Sequence, residues 1–183
     1  MIADELTGDH ARFITDNIFK PLGLTSTFYR HEAGYIQYPT IVNTYWDRYS
    51  DGRIENVSMM QRTNVSTLIG DDGIVTTPVE AVKFLKGLVE GKLLTEATLA
   101  QMTTWVKDKK GNERYGLGLV HKTVNGIEGY GHSGGGIGAG CELYYFPAKK
   151  TYMFIGINLG TVTDSPLHAA MGKALEKMHS ALL

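Results

Sequence analysis

The spacing of apolar positions changes character twice along this chain. Ile2, Leu6, Phe13 and Ile18 fall on one helical face, with Asp4 and Glu5 early, which predicts an amphipathic helix over 2–19. Gly8 weakens its middle, and Pro21-Leu22-Gly23-Leu24 ends it. Residues 40–58 read as a hairpin, with Asp51-Gly52 as a two-residue turn between 45–50 and 53–58. Gly70-Asp71-Asp72-Gly73 reads as a loop. Thr77-Pro78-Val79-Glu80 then starts a helix: Thr77 caps it, Pro78 suits the first turn, and Glu80 completes a capping box. Ala81, Val82, Leu85, Leu88 and Val89 form its apolar face, and Gly91 stops it. A second helix starts at Thr95 and carries Leu99 and Met102.

From Tyr115 onward the pattern becomes strand-like. Segments 115–124, 140–146 and 151–159 are rich in aromatic and β-branched residues, and Pro147-Ala148-Lys149-Lys150 is the turn between the last two. Tyr144 and Tyr145 point to opposite faces, so at least one is core. Residues 165–182 read as a terminal helix with a stripe of Leu167, Met171, Ala174, Leu175 and Met178. Helices come first, then an antiparallel meander, then a covering helix. That order predicts an α+β fold, an antiparallel sheet covered by helices: 1–110 mainly helical with a hairpin, 111–183 the meander plus the C-terminal helix.

Composition narrows the function classes. A length of 183 residues suggests one domain, and 43% hydrophobic residues are enough for a core. A net charge of −1 gives no electrostatic footprint for nucleic acid. Lys107-Asp108-Lys109-Lys110-Gly111 reads as a solvated turn, as do Asp71 and Asp72. No stretch approaches the ~18 apolar residues of a membrane span. The single cysteine, Cys141, excludes an internal disulfide, leaves the compartment open, and reads as a buried structural residue. His10, His31, His121, His168 and His179 lack ligand spacing, so neither metal nor cofactor is expected. Tyr45 and Trp46 read as core packing rather than cleft lining.

The chemistry concentrates in Gly131-His132-Ser133-Gly134-Gly135-Gly136-Ile137-Gly138-Ala139-Gly140, which runs into the apolar segment Cys141-Glu142-Leu143-Tyr144-Tyr145-Phe146. A His, a hydroxyl and free backbone N–H groups at a strand edge suit a carbonyl or carboxylate. Gly134-x-Gly136-x-x-Ala139 loosely fits a dinucleotide loop, but a strand follows where that motif needs a helix. Gly131-His132-Ser133-Gly134-Gly135 matches a G-x-S-x-G nucleophile elbow, with Asp164 and His168 following in order. The elbow also needs a helix after the serine, and Asp164 and His168 lie only four residues apart on one segment. A third reading is the cleft-lining strand of a serine acyltransferase site, in which Ser133 is not the nucleophile.

A family resemblance favours the third reading. Ile14-Thr15-Asp16-Asn17-Ile18-Phe19-Lys20-Pro21-Leu22-Gly23-Leu24-Thr25-Ser26-Thr27, the loop Gly70-Asp71-Asp72-Gly73-Ile74-Val75-Thr76-Thr77, Gly91-Lys92-Leu93-Leu94-Thr95 with Met102, Tyr115-Gly116-Leu117-Gly118-Leu119 and His132-Ser133-Gly134-Gly135 occur in one order. In that order they resemble the C-terminal portion of the serine β-lactamase and penicillin-binding-protein-like hydrolases, in the class C-related branch of DD-peptidases, D-aminopeptidases and esterases. The resemblance implies a partial β-lactamase/transpeptidase-like fold. It implies that His132 takes the position of the family's cleft lysine or histidine, and that the Ser133 hydroxyl can bond a substrate carboxylate or carbonyl. Gly134 and Gly136 would allow close approach of substrate, and the Gly135 N–H would be an oxyanion donor.

The departure is as informative. None of the serines at 26, 50, 58, 66, 133, 165 and 180 has a lysine three residues on, and no tyrosine is followed two places later by Asn or Ser. The family activates its serine through Ser-x-x-Lys and uses a Tyr-x-Asn or Tyr-x-Ser element, both upstream of the segment that Met1-Ile2-Ala3-Asp4-Glu5-Leu6-Thr7-Gly8 resembles. The expectation is a C-terminal part of a larger acyl-enzyme hydrolase acting on a β-lactam, a D-amino-acid peptide or a small ester. This chain alone would be inert, its partner the missing N-terminal half, with homo-oligomers formed through exposed sheet surface. The alternative is a non-catalytic binding module on the same fold.

Overall fold

The computed structural model of the chain describes residues 2–29, 40–67, 70 and 72–183, the side chains of 65–67 aside. His31 and Asp71 lie outside the described residues.

The first helix is two. Gly8, at φ 75°, closes α1 (Ile2–Thr7), because the left-handed conformation there interrupts the helical ladder. Asp9 then caps α2 (His10–Ile14) by accepting from the Arg12 N–H at 3.0 Å. A π-helical turn at Thr15–Phe19 carries the same helix into α3 (Lys20–Leu22), and Gly23 ends it as expected. Ala11, Phe19, Leu22, Leu24 and Tyr29 form a core around it. The next strands are short: β1 (Phe28–Tyr29) and β4 (Ile74–Val75) pair antiparallel. The hairpin predicted over 40–58 keeps only β2 (Tyr45–Trp46) against β3 (Glu55–Asn56). Asp51-Gly52 is no two-residue turn. Asp47 organises the whole loop instead, accepting from the N–H groups of Asp51 at 3.1 Å and Gly52 at 2.9 Å.

Helix α4 (Ser58–Thr67) follows, then α5 (Pro78–Val89) and α6 (Glu96–Met102), the last two capped by Thr77 and Thr95. Glu80 does not close a capping box. Its carboxylate accepts from the Ser26 N–H at 3.0 Å and from the Thr27 hydroxyl, tying α5 to the loop after α3. Burial opposes its ionisation, but these hydrogen bonds prevail and hold the carboxyl below its ordinary range.

The main sheet has six antiparallel strands in the order β10-β9-β8-β7-β6-β5. They are β5 (Val106–Lys107), β6 (Glu113–Tyr115), β7 (Val120–Val124), β8 (Ile127–Gly135), β9 (Gly140–Phe146) and β10 (Thr151–Ile157). The strand expected over 115–124 is broken: β6 ends at Tyr115 and turns, so that Tyr115 pairs with Val120. Asn125-Gly126, both at positive φ, turn β7 into β8. The terminal helix is α7 (Pro166–Leu182), capped by Ser165. It covers the face that carries Tyr144, Phe146, Met153 and Ile155, through Leu175 and Leu183. The expected stripe is only partly used: Leu167 and Met178 stay 37% and 40% exposed, and the most buried α7 residue is His179 at 8%. On the opposite face α5 lies across β9 and β10, and Tyr152 lies within the field of Glu90 at the end of α5.

Candidate active-site strand

Strand β8 is longer than its neighbour on one side. Register pairs β7 with β8 from Val124↔Ile127 to Val120↔Gly131, and there β7 stops. On the other side β9 follows β8 to its end, at Gly135↔Gly140. Residues 132–135 therefore form an open edge. Gly136 donates to the Ala139 C=O at 2.9 Å, which turns the even-numbered N–H and C=O groups of β8 toward β9. The odd-numbered groups of Ser133 and Gly135 then face the open side, where among the described residues the Gly135 N–H meets no partner.

Three segments hold this edge in place. Gln61 of α4 accepts from the Gly138 N–H at 2.8 Å, Thr161 donates to the Gly136 C=O at 2.9 Å, and Tyr45 donates to the Gly138 C=O at 3.3 Å. Trp46 anchors the same region from its half-buried ring, donating to the Thr163 hydroxyl at 2.8 Å. Gly135 is glycine for a steric reason: a Cβ there would sit 2.1 Å from the Thr161 Oγ1. Gly134 has open space on its own face, its nearest neighbour there being the Cys141 Sγ at 3.9 Å.

Strand alternation divides the predicted site residues between two faces. His132 and Gly134 share the face of Cys141 and Leu143, whereas Ser133 shares the α7 face with Glu142 directly opposite. The Ser133 side chain lies beside the buried Tyr144 phenol. Burial pushes that phenol up, with the Ser133 hydroxyl pulling the other way. Lys122 sits 4.7 Å above the Tyr144 ring and pairs with Glu142 at 2.7 Å, and Glu142 bonds His179 at 3.1 Å. Lys122, Ser133, Glu142 and Tyr144 border a polar groove of about 730 Å³. The hydroxyl of Ser133 and the ring of His132 thus do not converge. The residue after Ser133 continues in strand, so the nucleophile-elbow and dinucleotide readings both lack the helix they need. His168 instead bonds the Gly160 C=O at 2.9 Å.

His132 has a partner that sequence reasoning missed. Its Nε2 lies 3.0 Å from the Tyr115 hydroxyl, and its Nδ1 lies 2.5 Å from the Ser133 C=O. Tyr115 is delivered by the β5–β6 turn. Asp108 organises that turn by accepting from Asn112, the Lys110 N–H and Arg114, bonds that hold its carboxyl down at about 2 against the cost of desolvation. The usable signal was Gly116-Leu117-Gly118: with Gly118 at positive φ and the Gly116 N–H donating to the Leu119 C=O at 2.8 Å, this turn joins β6 to β7 and sets where β7 begins. Cys141 is exposed rather than buried. Desolvation, countered by the Gly134 N–H and aided by Asp72 and Glu142, raises its thiol pKa, so it remains a thiol near neutrality. Among the described residues no three His, Cys, Asp or Glu side chains gather as a metal site, and no helix is long and apolar enough to cross a membrane.

Several solved structures share this fold. The D-amino acid amidase of Ochrobactrum anthropi SV3, complexed with L-phenylalanine amide, matches 99% of this chain at a TM-score of 0.78 and 21% identity, over 53% of its own chain. A D-stereospecific amidohydrolase from Streptomyces sp. matches 86% of this chain at 0.69 and 22% identity, over 46% of its own. The octameric penicillin-binding protein homologue from Pyrococcus abyssi matches 97% at 0.70 and 22% identity, over 39% of its own. The chain spans about half the length of these structures or less. At such identities they establish a shared, partial β-lactamase/transpeptidase-like fold. The sequence model of the Beta-lactamase family matches residues 1–175, and the chain belongs to that family.

Proposed function

We propose that this chain supplies the strand wall of a serine acyl-transfer site, and that the nucleophile comes from residues outside its sequence. The open β8 edge carries this reading. It presents the Gly135 N–H toward space that no described residue fills, which is how an oxyanion donor must be placed. The absence of any Ser-x-x-Lys pair supports a nucleophile from elsewhere.

In the assembled site, serine attack on a carbonyl builds negative charge on oxygen, and the Gly135 N–H donates to that oxygen. Gly134 and Gly136 keep the approach free of side chains. His132 lines the cleft on one face. Ser133 takes part through its edge N–H rather than its hydroxyl, which the strand turns toward α7. The substrate classes that fit are D-amino-acid amides or peptides, β-lactams and small esters, following the family and the names of the similar amidases.

Intact-mass measurement tests the reading. The chain alone should gain no adduct from a fluorophosphonate or a β-lactam. An adduct on Ser133 would overturn the assignment. A polypeptide carrying Ser-x-x-Lys and Tyr-x-Asn elements, supplied in trans or fused ahead of the chain, should restore hydrolysis of a D-amino-acid anilide. It should also shield the exposed Cys141 from a maleimide. Shielding by a ligand without turnover, even after that addition, would favour a binding module.

A further inference from the structure

A row of rings crosses the sheet on the face opposite α7. His121 of β7, Tyr130 of β8, Tyr145 of β9 and Tyr152 of β10 stand opposite one another in register. Tyr152 stacks on Tyr145 at 4.3 Å, and Tyr145 meets Tyr130 edge to face at 5.7 Å, so Tyr130 is braced from one side. At the other end of the row lies Trp105, in the link between α6 and β5. Its ring centroid is 5.3 Å from that of His121 and 6.1 Å from that of Tyr130. Backbone packs closely on Trp105 as well, since a Cβ on Gly116 would sit 3.1 Å from its Cζ3. The Trp105 plane crosses the other two at 54° and 47°. The three rings therefore make angled walls rather than a flat platform. With α6 they border a pocket of about 440 Å³, a volume typical of small-ligand sites.

The permanent charge around this pocket has one sign. Its lining includes Glu96 of α6, Glu113 of β6 and Glu128 of β8, and no lysine or arginine. Among the described residues the carboxylates of Glu96 and Glu128 enter no ion pair or hydrogen bond. The ion-pair partner of Glu113 is the His121 Nε2, 4.0 Å away. All three glutamates are exposed, whereas Trp105, His121 and Tyr130 are half-buried. Aromatic faces attract a cation through the ring quadrupole, and nearby carboxylates add to that attraction. We propose that this pocket binds a small organic cation bearing a methylated ammonium group, held against Trp105 and Tyr130, with the three carboxylates balancing its charge. A methylated ammonium needs no hydrogen-bond acceptor inside the pocket and sheds water readily, which suits ring walls with the charge outside them. A primary ammonium is strongly hydrated and needs acceptors close by. A sugar would prefer a flat ring platform and donors among the charged side chains, and the charged side chains here only accept. The proposal does not draw on the proposed function, because no part of the pocket needs an acyl-transfer site.

Trp105 supplies its own reporter. Among the described residues its indole N–H makes no hydrogen bond, while that of Trp46 donates to Thr163. Choline, titrated at a pH where imidazoles are neutral, should shift the Trp105 indole ¹H–¹⁵N signal saturably and leave the Trp46 signal in place. The neutral isostere of choline, with a tert-butyl group in place of the trimethylammonium, should bind about fivefold more weakly or worse. Ethanolamine, the unmethylated analogue, should also bind more weakly than choline. Glu96→Gln combined with Glu128→Gln removes two exposed, unpaired charges and should weaken choline about threefold while leaving the isostere unchanged. Added salt should act in the same direction. Trp105→Leu should abolish binding as read by calorimetry, and the glutamine variant carries the test if that substitution disturbs the fold. No saturable shift at Trp105, equal binding of the isostere, or an unchanged affinity in the glutamine variant would each overturn the cation site. Tighter binding of ethanolamine would overturn the methylated ligand in favour of a primary amine, and tighter binding of methyl glucoside would make the pocket a sugar site. None of these measurements needs turnover, so a failure to restore hydrolysis would count against the proposed function alone.

Discussion

At the scale of single residues, the edge depends on a few atoms that leave no slack. Gly135→Ala would push a methyl group into the Thr161 side chain, 2.1 Å from its Oγ1 and 3.2 Å from its Cβ. We expect a loss of about 1–3 kcal/mol, the usual cost of overpacking. Thr161→Ala removes the closer contact and should restore part of that loss in the double variant, as read by urea melts of all four proteins. Asp47 is a second such point. Its carboxylate is 1% exposed and accepts from the Ser165 hydroxyl at 2.7 Å as well as from the 47–52 loop, so it joins that loop to the start of α7. The Ser165 bond leads in holding its pKa below the ordinary 3.8, ahead of the opposing cost of desolvation. A depressed carboxyl pKa stabilises the fold above the unfolded value and loses that contribution as pH falls through the folded one. Wild type should therefore exceed Asp47→Asn in stability at neutral pH, and the gap should close only below about pH 4. Chemical melts followed by tryptophan fluorescence across that range would show it. A constant gap down to the lowest pH would mean that ionisation is not the source.

Among whole elements, local signals served where the reason for an element is local. Helix α5 is set by Thr77, Pro78 and a periodic apolar face, and the structure keeps both the cap and the burial of Ala81, Leu85 and Leu88. Thr77→Ala should cost about 1 kcal/mol, and Leu85→Ala, at a site 2% exposed, about 2–5 kcal/mol. Thermal unfolding followed by circular dichroism would rank the two. Reading failed where the deciding partner lies far away. Glu80 has the spacing of a capping box but binds Ser26 and Thr27, 54 and 53 residues back. The α7 stripe has helical period, yet the sheet takes Leu175 and His179 more deeply than Leu167 or Met178, because Glu142 draws His179 inward. Cys141 sits in an apolar run but is exposed, on the face of β9 opposite Tyr144 and Phe146. The glycine-rich edge was legible as chemistry. The Tyr115 contact was not, because it depends on where β7 begins, and that follows from a turn rather than from any motif at the site.

For the molecule as a whole, the sheet has a second open edge, remote from the first, on β10. In the β9–β10 ladder Thr151, Met153, Ile155 and Ile157 turn their backbone groups toward β9, by the same alternation that opens β8. Tyr152, Phe154 and Gly156 then point their N–H and C=O groups outward, and no described residue pairs with them. The chain passes Tyr45 along only the end of this edge, at Leu159. The strand Thr151-Tyr152-Met153-Phe154-Ile155-Gly156-Ile157 carries no charge, the property by which natural edges resist pairing. It is also self-complementary. A two-fold axis through Phe154 sets Phe154 against its copy and each Tyr152 against the partner's Gly156, so that every outward backbone group finds a mate. The match runs from 151 to 157 and stops where Tyr45 begins. We expect the isolated chain to associate with rising concentration through this edge. Light scattering should show the dimer, and the amides of Tyr152, Phe154 and Gly156 should gain protection from hydrogen exchange as it forms. Gly156→Pro removes an outward N–H that makes no bond within the chain, and should return the protein to monomer without unfolding it. A dimer in which those three amides exchange freely would place the contact elsewhere. Because the β10 edge lies two strands from β8, pairing there leaves the Gly135 N–H open in both copies.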